Sequence, residues 1–462
     1  MNPDMSWGAY AVPLTFLLWR HLRARARRET GAALALDEAR AAGLIEPPSL
    51  HPVIDPAICI GSGCCVSACP EKALGIVDGK AVLVNPSHCI GHGACAASCP
   101  AQAITLVFGT ARRGMEIPQV HPSFETNVPG IWIAGELGGM GLVRKAAEQG
   151  RQAVANIARS VRLRDKGCGP AAATAAATAT DATDATDATD AADNPLDVLI
   201  VGAGPAGLTA TLAAMEHKLR FATIEQETSL GGTVYHYPRN KIVMTQPVDL
   251  PLVGKARLGE ISKEALLAFW RDIVARTGMP LNFGERMEEV GGDAAAGFLV
   301  RTGKRVYRTR NLLLAIGRRG TPRRLDVPGE DQAKVVYRLV DPEQYRGRAV
   351  LVVGGGDSAL EAALAVAAED GARVTLSYRG AAFDRVKPKN RMRLEEAQAA
   401  GALAVALNSK VLEIGPDTVA IERDGQRSTL ANDAVIVCAG GILPTPMLRQ
   451  LGVRVDEKFG TA

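Results

Sequence analysis

Seven of the nine cysteines fall between Cys59 and Cys99. They form two runs of one kind, CIGSGCCVSACP from Cys59 to Pro70 and CIGHGACAASCP from Cys89 to Pro100. Each run reads Cys, five residues, Cys, three residues, Cys-Pro, with glycines after the first cysteine. Thiolates are soft anionic ligands, so a doubled thiol run of this sort is built for iron–sulfide cores or for zinc. Glycine lets the backbone wrap closely enough to donate hydrogen bonds to sulfur. The repeated Cys-Pro endings depart from zinc-site spacing and favour iron–sulfur chemistry. A disulfide framework belongs to a much shorter secreted chain than one of 462 residues.

A second chemistry lies further along. Leu196 to Val201 (LDVLIV) is an apolar strand that runs into Gly202, Ala203, Gly204, Pro205, Ala206 and Gly207. A helix and a second strand follow, ending at Glu225 beside Gln226. That order predicts a pyrophosphate seated on the helix N-terminus and an adenosine ribose held by Glu225. The pattern recurs from Ala349 to Ala363 (AVLVVGGGDSALEAA), where Gly354, Gly355, Gly356, Asp357, Ser358 and Ala359 form the turn and enter the helix. Its second strand ends Leu376-Ser377-Tyr378-Arg379, with no acid for a ribose hydroxyl, and Arg379, Arg385 and Lys387 cluster there. Cations in place of the acid favour a 2′-phosphate, hence NADPH over NADH.

The cysteine runs resemble the bacterial two-cluster ferredoxins, with Ser62 and His92 standing where each run would carry its second cysteine. The resemblance implies that Cys59, Cys65 and Cys99 hold one cluster and that Cys89, Cys95 and Cys69 hold the other. A 3Fe-4S cluster needs only those three thiolates. A 4Fe-4S cluster needs a further ligand, for which Ser62, Cys64 and His92 are the candidates, and imidazole ligation raises cluster potential in other iron–sulfur classes.

From Leu196 onward the chain resembles the FAD-dependent pyridine-nucleotide disulfide oxidoreductases, in their thioredoxin-reductase-like branch. The matching residues are Gly231-Gly232-Thr233, Ala315-Ile316-Gly317, Val327-Pro328-Gly329-Glu330, and Ala439-Gly440 with Pro444-Thr445. The resemblance implies FAD on the first glycine loop and NADPH on the second. Such families close the flavin site with a Gly-Asp pair near the end of the chain. Here the corresponding segment stands ahead of the first loop, as Pro129-Gly-Ile-Trp-Ile-Ala-Gly135-Glu136. A circular permutation is therefore expected, and the identical tetrapeptides Phe108–Ala111 and Phe459–Ala462 (FGTA) suit its two sides. The family's redox-active cysteine pair is missing; Cys438, in an apolar strand, reads as a structural thiol. Tyr235, His236 and Tyr237 follow the Gly-Gly-Thr turn and are candidates to line a flavin ring, whether by packing against it or by proton transfer.

The elements that must position these groups follow. At 47% hydrophobic and 22% charged, the chain supports several packed cores, and a formal charge of +4 gives no broad basic face for nucleic acid. The expected class is α/β: two doubly wound dinucleotide-binding domains plus a small α+β two-cluster ferredoxin domain. The expected segments are an anchor with a basic flank (1–28), a linker helix (29–54), the ferredoxin domain (55–106) and the flavin-closing segment (107–158). An Ala/Thr/Asp linker (159–195), the FAD-binding domain (196–332), the NADP-binding domain (333–432) and a return to the FAD-binding domain (433–462) complete the chain.

Met5 to Trp19 is apolar and is followed by Arg20, Arg23, Arg25, Arg27 and Arg28, the flank order of a membrane attachment under the positive-inside rule. The stretch is shorter than a span, and Pro13 is expected to interrupt it. The expected location is the cytoplasm, with attachment to the inner face of the cytoplasmic membrane left open.

The function expected is passage of electrons from NADPH through FAD to the clusters and a one-electron acceptor, or the reverse. The other party is a one-electron acceptor or donor protein or a membrane carrier, and a homodimer is compatible with the sequence. An electron-entry subunit of a larger complex and an accessory-cluster disulfide or persulfide reductase are the rival readings.

Overall fold

The computed structural model describes residues 4–41, 45–47, 50–111, 114–139, 141–165, 195–237, 242–244, 247–383, 386 and 388–460. The chain folds as two compact units, one of residues 1–115 with 381–395 and 458–462, the other of residues 116–380 with 396–457. The expected Ala/Thr/Asp linker falls mostly on 166–194, outside the described residues.

The first unit begins with helix α1 (Asp4–Ala41), which continues through Pro13 and the arginines. The expected interruption at Pro13 and the separate linker helix are thus corrected. Proline removes one backbone donor, and the helix-forming Leu, Ala and Arg residues around it carry the helix past that loss. Strand β1 (His51–Ile54), helix α2 (Cys64–Ala68), strands β2 (Leu74–Val77) and β3 (Lys80–Leu83), helix α3 (Ala94–Ala97) and strand β4 (Ile104–Val107) follow. β1 pairs antiparallel with β4, and β2 with β3. Helices α2 and α3 each open on a glycine in the left-handed region, Gly63 at φ 74° and Gly93 at φ 75°. The unit's core is small and includes the thiols themselves: Cys59, Cys65 and Cys95 pack with Leu74, Ala81 and Ala103.

The second unit contains two parallel five-stranded sheets. The first uses β5 (Ile131–Ile133), β6 (Val198–Val201), β7 (Phe221–Glu225), β8 (Asn282–Phe283) and β9 (Leu312–Leu314), in the order β8-β7-β6-β9-β5. β6 is Val-Leu-Ile-Val with every residue buried, as a central strand covered on both faces requires. Helix α4 (Val143–Asp165) leads away from β5, and α5 (Pro205–Glu216) connects β6 to β7. Ala153, Val154 and Ile157 of α4 share one core with Ala206, Ala210 and Ala213 of α5. The second sheet uses β10 (Val335–Val336), β11 (Ala349–Val353), β12 (Arg373–Ser377), β13 (Leu403–Ala406) and β14 (Ala434–Val437), in the order β10-β14-β11-β12-β13. Helix α6 (Asp357–Ala367) connects β11 to β12.

β14 pairs with β11 and β10, so the second nucleotide fold runs past 432 and the expected return at 433 begins only after Val437. Val435 and Ile436 are fully buried, and an apolar run of that kind belongs in the middle of a parallel sheet.

Candidate functional site

The two cysteine runs form two cavities, each lined by three thiols. Cys59, Cys65 and Cys99 line the first, together with Ser62. Cys89, Cys95 and Cys69 line the second, together with His92. The last cysteine of each run therefore serves the other run's cavity, the sharing that the ferredoxin resemblance implies. Backbone N–H groups reach sulfur in both: Ala81 to Cys59 at 3.4 Å, Ala103 to Cys99 at 3.3 Å and Ala73 to Cys69 at 3.4 Å. Gly61 is obligatory, because a Cβ there would lie 2.0 Å from the Gly79 carbonyl oxygen.

Burial pushes up the Cys65, Cys95 and Cys89 thiols, the last to about 11. A cationic iron centre is what draws such protons off. Burial holds the His92 imidazole below its ordinary value, against the opposing pull of Glu71. The donor set fits iron–sulfur clusters. Cys64 is corrected: it is exposed and lines neither cavity. It opens α2 next to buried Cys65, and successive helical residues point about 100° apart.

In the second unit, the first glycine loop closes on itself. A Cβ on Gly207 would lie 1.7 Å from the Gly202 carbonyl oxygen. Pro205 opens α5 where no backbone donor is needed. The Gly231-Gly232-Thr233 turn docks here, with the Gly231 N–H donating to the Ala203 carbonyl at 2.8 Å. Glu225 is buried at the end of β7. Its carboxylate accepts from the Ala203 N–H at 2.7 Å and the Glu227 N–H at 3.0 Å, and burial raises its pKa. The expectation gave Glu225 a ribose to hold; the structure adds that it braces the loop.

Gly135 reaches the same helix end. A Cβ there would touch the Ala206 Cβ at 3.0 Å, and its N–H donates to Gln149 Oε1 at 2.8 Å. Glu136 follows. Burial raises its carboxyl above the ordinary value, while the Arg318 charge and backbone N–H pull it back. β5 brings this turn into place by pairing with β9, and Trp132 Nε1 donates to Asn311 Oδ1 at 3.1 Å along that seam. Thr233 lies near Gly317 and so near Glu136, since a Cβ on Gly317 would approach both side chains.

Tyr237 is raised by burial and by the Glu136 charge. His236 contacts Arg338 and Glu227, the latter at 3.3 Å. Burial first, then Arg338, Arg319 and Lys263, lowers its pKa to about 3. It is neutral at physiological pH.

In the second glycine loop, Gly354 has φ 149°, and a Cβ on it would lie 2.4 Å from the Cys438 carbonyl oxygen. Gly356 caps α6, which Asp357, Ser358 and buried Ala359 enter. β12 ends at Ser377, buried against Ser409 with the two hydroxyls 2.8 Å apart. No carboxylate stands at the Glu225 position, and Arg379 is exposed. Arg385 and Lys387 lie outside the described residues. Sequence reasoning missed Tyr378, whose ring lies so close over the loop that a Cβ on Gly355 would meet it at 2.1 Å.

Residues 199–460 match the family described as pyridine nucleotide-disulphide oxidoreductase. The chain belongs to that family. Residues 51–100 of this oxidoreductase match the 4Fe-4S dicluster domain. Among curated relatives, it is 32% identical over 282 residues to a ferredoxin--NADP reductase of Ignicoccus hospitalis, spanning 57% of this chain and 86% of that one. It is 28% identical over 268 residues to bacilliredoxin reductase Bdr of Bacillus subtilis, spanning 57% and 82%. Among solved structures, bacillithiol disulfide reductase Bdr (YpdA) from Bacillus cereus aligns over 56% of this chain and 82% of its own, at 28% identity and a TM-score of 0.49. The chain is a flavin-dependent pyridine-nucleotide oxidoreductase with an iron–sulfur domain.

Proposed function

We propose that this oxidoreductase passes electrons from NADPH, by way of FAD, to its two clusters and on to a one-electron acceptor, a protein or a membrane carrier. The observation that carries the reading is the pair of three-thiol cavities in the same chain as two glycine-loop folds of unlike charge. The ferredoxin--NADP reductase relative supports a one-electron partner.

When bound, FAD exchanges two electrons with nicotinamide and one at a time with iron–sulfur centres. The chain's residues supply binding and orientation. The α5 N-terminus and the Gly202–Gly207 loop take the FAD pyrophosphate, Glu225 its ribose, and the Gly135-Glu136 turn closes the site. The Gly354–Gly356 loop and α6 take the NADPH pyrophosphate, with Arg379 on the 2′-phosphate. Neutral His236 is not an imidazolium acid at physiological pH; it keeps one ring N–H to donate and one ring nitrogen to accept, which suits a residue that orients its neighbours.

In the cavities, Cys59, Cys65 and Cys99 ligate one cluster and Cys89, Cys95 and Cys69 the other. Ser62 and His92 are the remaining donors for 4Fe-4S clusters, and 3Fe-4S clusters would leave them unused.

We read the placement of β5 and α4 as a circular permutation. The Gly460 N–H donates to the Phe108 carbonyl at 2.8 Å, so the described half of the second FGTA copy, Phe459-Gly460, lies beside the start of the first, as the sides of a cut turn would.

The disulfide reductase reading draws on the Bdr relative of Bacillus subtilis. Against it, Cys438 is the single cysteine between 199 and 460, and burial pushes its thiol up to about 11. The test is anaerobic turnover of the isolated chain with NADPH and a one-electron dye. Sustained dye reduction supports the proposal. A chain that reduces disulfides but not the dye contradicts it, and activity only with a partner subunit favours an electron-entry role.

A further inference from the structure

Helix α1 is divided in its work. Its C-terminal part packs on the ferredoxin module: Ala39 is buried, and Ala32 sits on Gly75 so closely that a Cβ there would lie 2.7 Å from the Ala32 Cβ. The stretch from Leu14 to Leu22 has no such cover. Leu14, Phe16, Leu17, Leu18, Trp19 and Leu22 are 53–70% exposed. They point all around the helix, and from Leu14 to Trp19 Thr15 is the one polar side chain, so no side of that surface is polar enough to face water by preference.

The charge pattern says what covers this end. From Met5 to Trp19 there is no charged residue, and Arg20, Arg23, Arg25, Arg27 and Arg28 follow with no acid before Glu29. All five arginines are exposed. Trp19 stands at the junction with the Arg23 guanidinium 5.0 Å from its ring centre, the amphipathic pairing of a membrane–water boundary. No described helix is long and apolar enough to cross a membrane. Fifteen uncharged residues rise about 22 Å at 1.5 Å each, short of the roughly 30 Å hydrocarbon core.

We propose that the N-terminal half of α1 inserts into one leaflet of an anionic phospholipid bilayer and stops there, with the arginine run on the headgroup phosphates. Apolar burial supplies attachment, and each arginine adds an attraction to anionic lipid that high salt weakens.

Flotation of the full chain with vesicles tests this. The chain is expected to rise with phosphatidylglycerol-containing vesicles, and at least about tenfold less with pure phosphatidylcholine or at high salt. Leu14→Asp with Leu17→Asp should abolish flotation. Arg23→Gln, Arg25→Gln and Arg27→Gln together should weaken it about tenfold or more on anionic vesicles alone. NADPH oxidation with the dye serves as the folding control and should be unchanged in both variants, so loss of flotation and loss of turnover are separate results. A wild-type chain that stays at the bottom overturns the proposal. So does a chain that forms oligomers dispersed by the leucine substitutions without floating, because the face would then join copies of the chain.

Discussion

The cysteine module and the first glycine-loop fold reach order by opposite means. The loop fold stands on β6 and β9, whose leucines, isoleucine and valines are nearly all fully buried, and on the Ala-rich contact of α4 with α5. The module has four-residue strands and a core in which cysteines replace large apolar side chains. One region can bind its cofactor with a preformed cradle. The other needs its cofactor to complete its core, because so few apolar residues cannot offset the loss of chain entropy.

Removing iron is the strongest way to break that contrast. Chelation under reducing conditions should unfold residues 51–107 and leave 198–314 protected, as hydrogen exchange would record. Equal protection with and without iron would erase the distinction.

Gly207→Ala attacks the other side. With only 1.7 Å between the new Cβ and the Gly202 oxygen, the loop must shift, at about 1–3 kcal/mol or more. The flavin-to-protein ratio should fall about tenfold or more while iron content holds.

Arg379→Ala should raise KM for NADPH about tenfold, the loss of one charge-assisted hydrogen bond, and leave KM for NADH unchanged. Steady-state kinetics with both cofactors would check it, and equal effects on both would remove the 2′-phosphate assignment.

The smallest effect is on pH dependence. Burial raises Glu225 above the ordinary value of 4.5. An acid raised by folding contributes stability that is complete below its unfolded value and lost as pH climbs through the raised folded value. Thermal unfolding of the flavin fold should therefore show a decline above about pH 4.5 that Glu225→Gln flattens. The module, lacking such a buried carboxylate among its described residues, should not show it.

Much of both sites could be read from the sequence for local reasons. Gly202, Gly204 and Gly207 are tied to a strand and a helix within a dozen residues, and no other residue type fits the backbone approach. The cysteine sharing came with the ferredoxin resemblance that the two runs carry. What escaped depends on contacts distant in sequence or on small rotations: Cys64 turned outward beside inward Cys65, β14 completing a sheet some eighty residues after β11, and Tyr378 lying over Gly355. The passage of α1 through Pro13 escaped for a different reason. A proline's cost is local, and a long helix-forming context outweighs it.

The most direct measurement is anaerobic addition of NADPH followed by low-temperature paramagnetic resonance on rapidly frozen samples. Iron–sulfur signals should change within the time of dye turnover, after the flavin absorbance bleaches. Flavin that is reduced and stays so while the clusters remain unchanged would contradict electron passage between the two regions.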